Sequence, residues 1–235
     1  MNIVLVDSGI GGLTLLKRLI KAYPHVTYRY YADNAYHPYG DMDARELKEH
    51  LELLCNTFFT QGASAVVLAC NTASTTALTH LRKHISAPIF GVKPFLSPPY
   101  SRTLITCTPL TADSSTVKKY VKNGASVYAN ARLAKMIEEV APDFDKLEPY
   151  LIKELSPFKV DRVSLGCTHY VYLKDVIERI TGAQTTDGYD KLLKEITPFI
   201  NKNPAKNRLQ EGDYPYFIFS GKREEQKYAE LFVQI

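Results

Sequence analysis

Cysteine is sparse in this chain. The four that occur, Cys55, Cys70, Cys107 and Cys167, form no CxxC pair, which argues against a zinc knuckle. No apolar run approaches the roughly 20 residues of a membrane span, so no membrane partner is expected. Basic blocks are absent as well. Lys and Arg number 29 against 25 Asp and Glu, a dispersed charge of +4, and no nucleic-acid partner is expected. A small anionic substrate is compatible with this balance without being implied by it. There is no GxxxxGK[ST] and no GxGxxG, so the glycine loop after Asp7 fits a small ligand better than a nucleotide. Residues 1–7 lack a basic leader region and a cleavage site, and read as a strand instead of a signal peptide. A cytoplasmic protein with reduced thiols is the expectation.

What is present is a repeated device. Val66-Val67-Leu68-Ala69-Cys70-Asn71-Thr72-Ala73-Ser74 and Val163-Ser164-Leu165-Gly166-Cys167-Thr168-His169-Tyr170 each read as a buried strand that delivers a cysteine just before a helix. In open α/β sheets ligands bind at that end of the strand. Strands are expected at 3–6, 26–31, 65–69, 87–92, 103–106, 125–128, 162–165, 184–186 and 214–219. Helices are expected at about 12–22, 43–61, 72–84, 114–123, 130–140, 146–156, 171–180, 187–200 and 223–233, with a polar surface connection over 201–213. Alternating strands and helices predict an α/β fold with mainly parallel sheets covered on both faces. The similar element order in the two halves suggests duplicated lobes. The proline-dense stretch 93–100 is read as their crossover, and 223–233 is expected to return to the first lobe. Cys55 lies on the apolar face of its helix and reads as core.

Two strand-end thiols in facing lobes suggest general acid–base chemistry on either side of a stereocentre, that is, racemisation. Asp7 can serve Cys70, and His169 lies two residues from Cys167; Asp7 reads equally as the N-cap of the first helix. Ser8, Asn71, Thr72, Thr111 and Thr168 are suitable donors to a substrate carboxylate as carbanion charge builds. A cysteine hydrolase leaves the second thiol unexplained. A ligand-binding regulatory protein of the same fold would carry the pocket without turnover.

Taken together, Val6-Asp7-Ser8-Gly9-Ile10-Gly11-Gly12-Leu13-Thr14, Asp33 with Pro38-Tyr39-Gly40, Ala69 to Ser74, Thr108 to Thr111 and Gly166 to Tyr170 resemble the glutamate racemases, within the cofactor-independent aspartate/glutamate racemase superfamily. The resemblance spans nearly the whole chain. It implies two pseudo-symmetric α/β lobes, 1–93 plus 197–235 and 94–196, with the active site in the cleft between them. It implies no PLP, no metal and no nucleotide, and L- and D-glutamate as the small-molecule substrates. D-glutamate would serve peptidoglycan; a homodimer is left open. By position, Cys70 and Cys167 match the catalytic pair, Cys70 acting on D-glutamate and Cys167 on L-glutamate. Asp7 and His169 match their assisting groups, and Asp33 a further acidic residue. Asp7, Ser8, Pro38, Tyr39, Gly40, Cys70, Asn71, Thr72, Thr111, Cys167, Thr168 and His169 match substrate-binding positions. The same fold also admits aspartate or another small acidic compound as substrate. The chain departs from the family in being somewhat short, in Val171 for a proline and in Cys107 for a glycine. Residues 128–139 lack the family's cysteine–proline pattern, so its occasional auxiliary glutamate is not carried to Glu138 or Glu139.

Overall fold

The structure, a computed structural model, describes residues 1–203 and 215–235. Strand β1 (Asn2–Asp7) buries Ile3, Val4, Leu5 and Val6 completely. A run apolar on both faces marks the centre of a parallel sheet. Successive side chains point to opposite faces, so Ile3 and Leu5 join one apolar cluster and Val4 and Val6 the other. Helix α1 (Leu13–Ala22) covers the first face with Leu13, Leu15, Leu16 and Leu19. Strand β2 (Thr27–Ala32) runs parallel beside β1. Helix α2 (Ala44–Thr60), capped by the Asp43 side chain, lays Leu47, Leu51, Cys55 and Phe58 on the second face. Strand β3 (Ala65–Leu68), helix α3 (Asn71–His84) and strand β4 (Ile89–Gly91) follow. Truncating one such buried leucine to alanine costs about 2–5 kcal/mol, so the double cover holds the ends of β1 and β3 firmly.

The second half repeats the plan with β5 (Thr103–Cys107), α4 (Pro109–Ala112), α5 (Ser115–Lys122), β6 (Ser126–Ala129), α6 (Leu133–Val140), α7 (Glu148–Leu155), β7 (Arg162–Leu165), α8 (Lys174–Thr181), β8 (Gln184–Thr186) and α9 (Tyr189–Lys202). Strand β9 (Tyr216–Phe219) and helix α10 (Glu225–Gln234) end the chain. The sheets have the orders β4-β3-β1-β2-β9 and β6-β5-β7-β8, and every pairing is parallel. The molecule is thus α/β with two lobes, as expected. Strand β9 pairs with β2, and Lys17 on α1 donates to the Phe232 carbonyl of α10 at 3.3 Å, so the C-terminal segment does return to the first lobe. Helix α9 runs through position 196 and packs Phe199 against Phe90 of β4. The cluster containing Ile3 and Leu5 continues through Leu104, Leu165 and Cys167, so one apolar core underlies both lobes.

Local departures have local causes. Asp7 does not cap α1. Gly12 holds that position, and the Asp7 carboxylate is taken by other donors. The turn after Cys167 is a 3-10 helix over Thr168–Leu173, and the α-helix starts only at Lys174. Thr108 caps the extra short helix α4 by accepting from the Thr111 amide at 3.3 Å. Two 3-10 turns, Asn34–Tyr36 and Tyr39–Asp41, fill the loop between β2 and α2. Of the expected polar connection, 201–202 finish α9; 204–213 and the first residue of the expected last strand, Tyr214, lie outside the described residues. Among the described residues no helix is long and apolar enough to cross a membrane.

Candidate active site

The strand ends converge. Thr72, after β3, meets Thr108 and Thr111, after β5, with hydroxyl oxygens 2.9 and 3.1 Å apart. Asp7, ending β1, accepts from the Thr168 hydroxyl, after β7, at 3.1 Å. The two lobes therefore close on each other through polar contacts at the carboxyl ends of four strands, and both expected cysteines stand there.

Cys70 is 6 % exposed and occupies the N-cap of α3, in extended conformation. Burial pushes its thiol well above the ordinary value, and the negative charges of Asp7 and Cys167 add to the rise; the Ala73 and Thr72 amides pull the other way. Asp7 is fully buried and accepts from the Gly9 amide at 2.9 Å. Burial raises its carboxyl, against the opposing charge of His169. Both groups are thus biased towards their protonated forms, and each one's charge opposes ionisation of the other.

Cys167 is 5 % exposed, with its Sγ 4.0 Å from His169 Nδ1. The other ring nitrogen, Nε2, lies 2.9 Å from Glu138 Oε1. Burial alone would lower the imidazole; the contacts with Cys167 and Glu138 outweigh it and hold His169 well above its ordinary value. Burial likewise opposes ionisation of Glu138, but the His169 hydrogen bond and charge bring it down to about 2. The pair is therefore ionic, a carboxylate on an imidazolium whose second N–H is left for Cys167. Glu138 Oε1 also accepts from the Ile10 amide at 2.7 Å, tying α6 of the second lobe to the glycine loop of the first. That loop must be glycine where it passes His169. A Cβ on Gly11 would sit 2.6 Å from both His169 Nδ1 and Thr168 Oγ1.

The remaining expected residues divide in two. Ser8, Asn71, Thr72, Thr111 and Thr168 are all buried in this cleft. The Asn71 amide Nδ2 has no partner among the described residues, although a buried donor ordinarily has one. Asp33 stands back from the thiols. Its Oδ2 accepts from Tyr39 Oη and meets His50 Nε2, both at 2.5 Å, and Tyr39 is buried. Gly40 follows Pro38 and Tyr39 and lets the backbone pass close to Thr108, where a Cβ would be 3.1 Å from the threonine's Cβ.

Sequence reasoning set Glu138 aside, and it missed His50 and His37. Glu138 follows the buried Ile137 on an amphipathic helix, a pattern that any half-buried glutamate shares. His50 lies on α2, whose sequence shows an ordinary amphipathic helix. His37 packs its ring 5.3 Å from that of His169 and is held neutral, at about 4, first by burial and then by the His169 charge. With Ser8, Gly9, Glu138 and Lys227 it lines a cavity of about 340 Å³ at the mouth of the cleft.

No protein-family model matches the chain. Curated relatives do. It is 35 % identical to the glutamate racemase of Leptospira interrogans over 247 aligned positions, covering 99 % of this chain and 91 % of that one. It is 36 % identical to the glutamate racemase of Shewanella woodyi, covering 88 % and 84 %. Among solved structures it is similar to the glutamate racemase of Thermus thermophilus in complex with beta-chloro-D-alanine, with a TM-score of 0.83 and 27 % identity over 99 % of this chain and 92 % of that one. Likeness of this extent, on a fold that sets two buried thiols at matching strand ends, places the chain in the glutamate racemase family.

Proposed function

We propose that this chain interconverts L- and D-glutamate by moving the α-proton between two thiols, without PLP, metal or nucleotide. The observation that carries the reading is the pairing of buried Cys70 and Cys167 at equivalent strand ends, the first beside Asp7 and the second beside His169 and Glu138. One thiolate removes the α-proton from one face, and the opposite thiol returns a proton to the other. Cys167 acts on L-glutamate and Cys70 on D-glutamate. Asp7 exchanges a proton with Cys70. His169 exchanges one with Cys167 through Nδ1, while Glu138 holds the ring by Nε2. Asp33 keeps Tyr39 in place behind Cys70.

The α-hydrogen of an amino acid is a weak acid, so the carboxylate must be stabilised as carbanion charge builds. Preorganised donors in a dry site supply that, and loss of one typically costs about 10²–10³ in rate. The unpartnered Asn71 amide, the Ser8 hydroxyl and the Thr72–Thr108–Thr111 hydroxyl cluster are the donors available. The lobes 1–93 with 197–235 and 94–196 each bring one thiol to the cleft. The product serves peptidoglycan synthesis in the cytoplasm.

The test is loss of the circular dichroism of L-glutamate, set beside L-aspartate, with purified protein and no added PLP. Decay to zero with glutamate and not aspartate is the expected result. Decay with aspartate alone would move the substrate to the shorter acid. No decay with either would leave a binding protein.

A further inference from the structure

A second group of metal-capable side chains stands apart from the cleft. His80 and His84 lie one turn apart near the C-terminal end of α3, on one face of the helix. Their ring centroids are 4.2 Å apart. Glu52, on the neighbouring helix α2, reaches them, with Oε2 2.6 Å from His80 Nε2. One donor atom from each residue lies within 4.8 Å of the other two. The His84 tautomer is set by its surroundings. Nδ1 is 2.9 Å from the His80 carbonyl oxygen, which can only accept. Nδ1 therefore carries the proton, and in the neutral ring Nε2 keeps its lone pair. An N–H to carbonyl bond of this kind orients metal-bound histidines. The helices that present the trio are fixed from below, since Leu51 and Cys55 of α2 and Ala77 and Leu81 of α3 belong to one buried cluster. The trio itself is reachable, with the Glu52 and His80 side chains each 31 % exposed.

We propose that Glu52, His80 and His84 bind a divalent first-row transition ion of the zinc type, as a three-ligand nitrogen–oxygen site with its remaining position open to solvent. Two imidazoles and one carboxylate suit such an ion and disfavour calcium and magnesium, which take all-oxygen shells. The ion needs the Nε2 lone pair of His80 in place of its N–H contact with Glu52, so proton and metal compete for the site and binding weakens as pH falls. It bridges α2 to α3, the helix that begins directly after Cys70. The other such trio, His37, Glu138 and His169, belongs to the cleft already described.

The experiment is calorimetric titration of zinc chloride into the wild type, H80A/H84A and E52Q at pH 7.5, with the racemisation rate and the melting temperature followed in the same samples. The wild type is expected to take up one ion that H80A/H84A does not, and E52Q to bind about tenfold or more weakly. Zinc should raise the melting temperature of the wild type and not of H80A/H84A. Without metal, H80A/H84A should racemise at the wild-type rate. Identical isotherms for the wild type and H80A/H84A would overturn the proposal. Binding that inhibits both equally would do the same, because the ion would then sit on the thiols or on the cleft trio.

Discussion

Replacing Glu138 by glutamine removes the charge that faces His169 at 2.9 Å and, more distantly, Lys227 at 3.6 Å. Glutamine keeps the shape and still offers an oxygen to the Ile10 amide. The pair is well buried, with the His169 side chain 2 % and the Glu138 side chain 14 % exposed, so solvent screens it weakly. A carboxyl brought from 4.5 to about 2 carries about 3 kcal/mol of differential interaction. Hydrogen bonds to charged groups contribute about 1.5–3 kcal/mol by a separate route. For a chain of this size these figures correspond to a fall in Tm of about 3–12 °C. The pH dependence is the sharper test. The Glu138 share is fully present above its unfolded value of 4.5 and is lost as pH falls towards about 2. The His169 share is fully present below its unfolded value of 6.5 and is lost as pH rises through its higher folded value. The gap in Tm between wild type and E138Q should thus be widest from pH 4.5 to 6.5 and should narrow on both sides. Scanning calorimetry from pH 3 to 9 measures it. A gap that is flat across that range, or below about 1 °C at pH 5.5, would refute the ionic pairing of Glu138 with His169.

Other expectations follow from the same geometry. Cys70→Ser and Cys167→Ser should each abolish racemisation, measured by polarimetry, while either variant can retain α-proton exchange from a single enantiomer. Gly11→Ala forces a methyl into His169 and Thr168; overpacking of this kind costs about 1–3 kcal/mol, and kcat should fall more than tenfold with the thiols intact. Asn71→Ala removes an unpartnered donor and should lower kcat/KM about 10²–10³-fold with an unchanged melting temperature. Leu51→Ala should lower stability by about 2–5 kcal/mol in a denaturant titration, since Leu51 is fully buried beneath α2.

The strand that delivers Cys70 was legible because a strand buried on both faces leaves a continuous apolar run; the strand that delivers Cys167 carries Arg162 and Ser164 and was legible by its likeness to the first. Asn71, Thr72, Thr168 and His169 were legible because they follow those two cysteines, and Asp7 and Ser8 because they end the apolar run of β1. Glu138 lies 31 residues from His169 and 128 from Ile10, so its role exists only once the lobes have closed, and local pattern shows an ordinary amphipathic helix. His50 was hidden for the same reason, because its partner Asp33 comes from a different element. The misreading of Asp7 as a helix cap came from weighing the nearest helix and not the opposite lobe, whose Thr168 hydroxyl it accepts. The 3-10 turn over Thr168–Leu173 took the place of the first residues of the helix expected at 171–180, whose α-helical part starts at Lys174.

The most direct test of the two-thiol account is the fate of the α-hydrogen when L-glutamate is incubated with the purified protein in D2O. Early in the reaction, the D-glutamate formed should carry deuterium at the α-carbon while the recovered L-glutamate retains its proton, because one thiol takes the proton and the other supplies the solvent isotope. Deuterium appearing equally in the recovered L-glutamate would mean that a single group works on both faces, and would contradict the account.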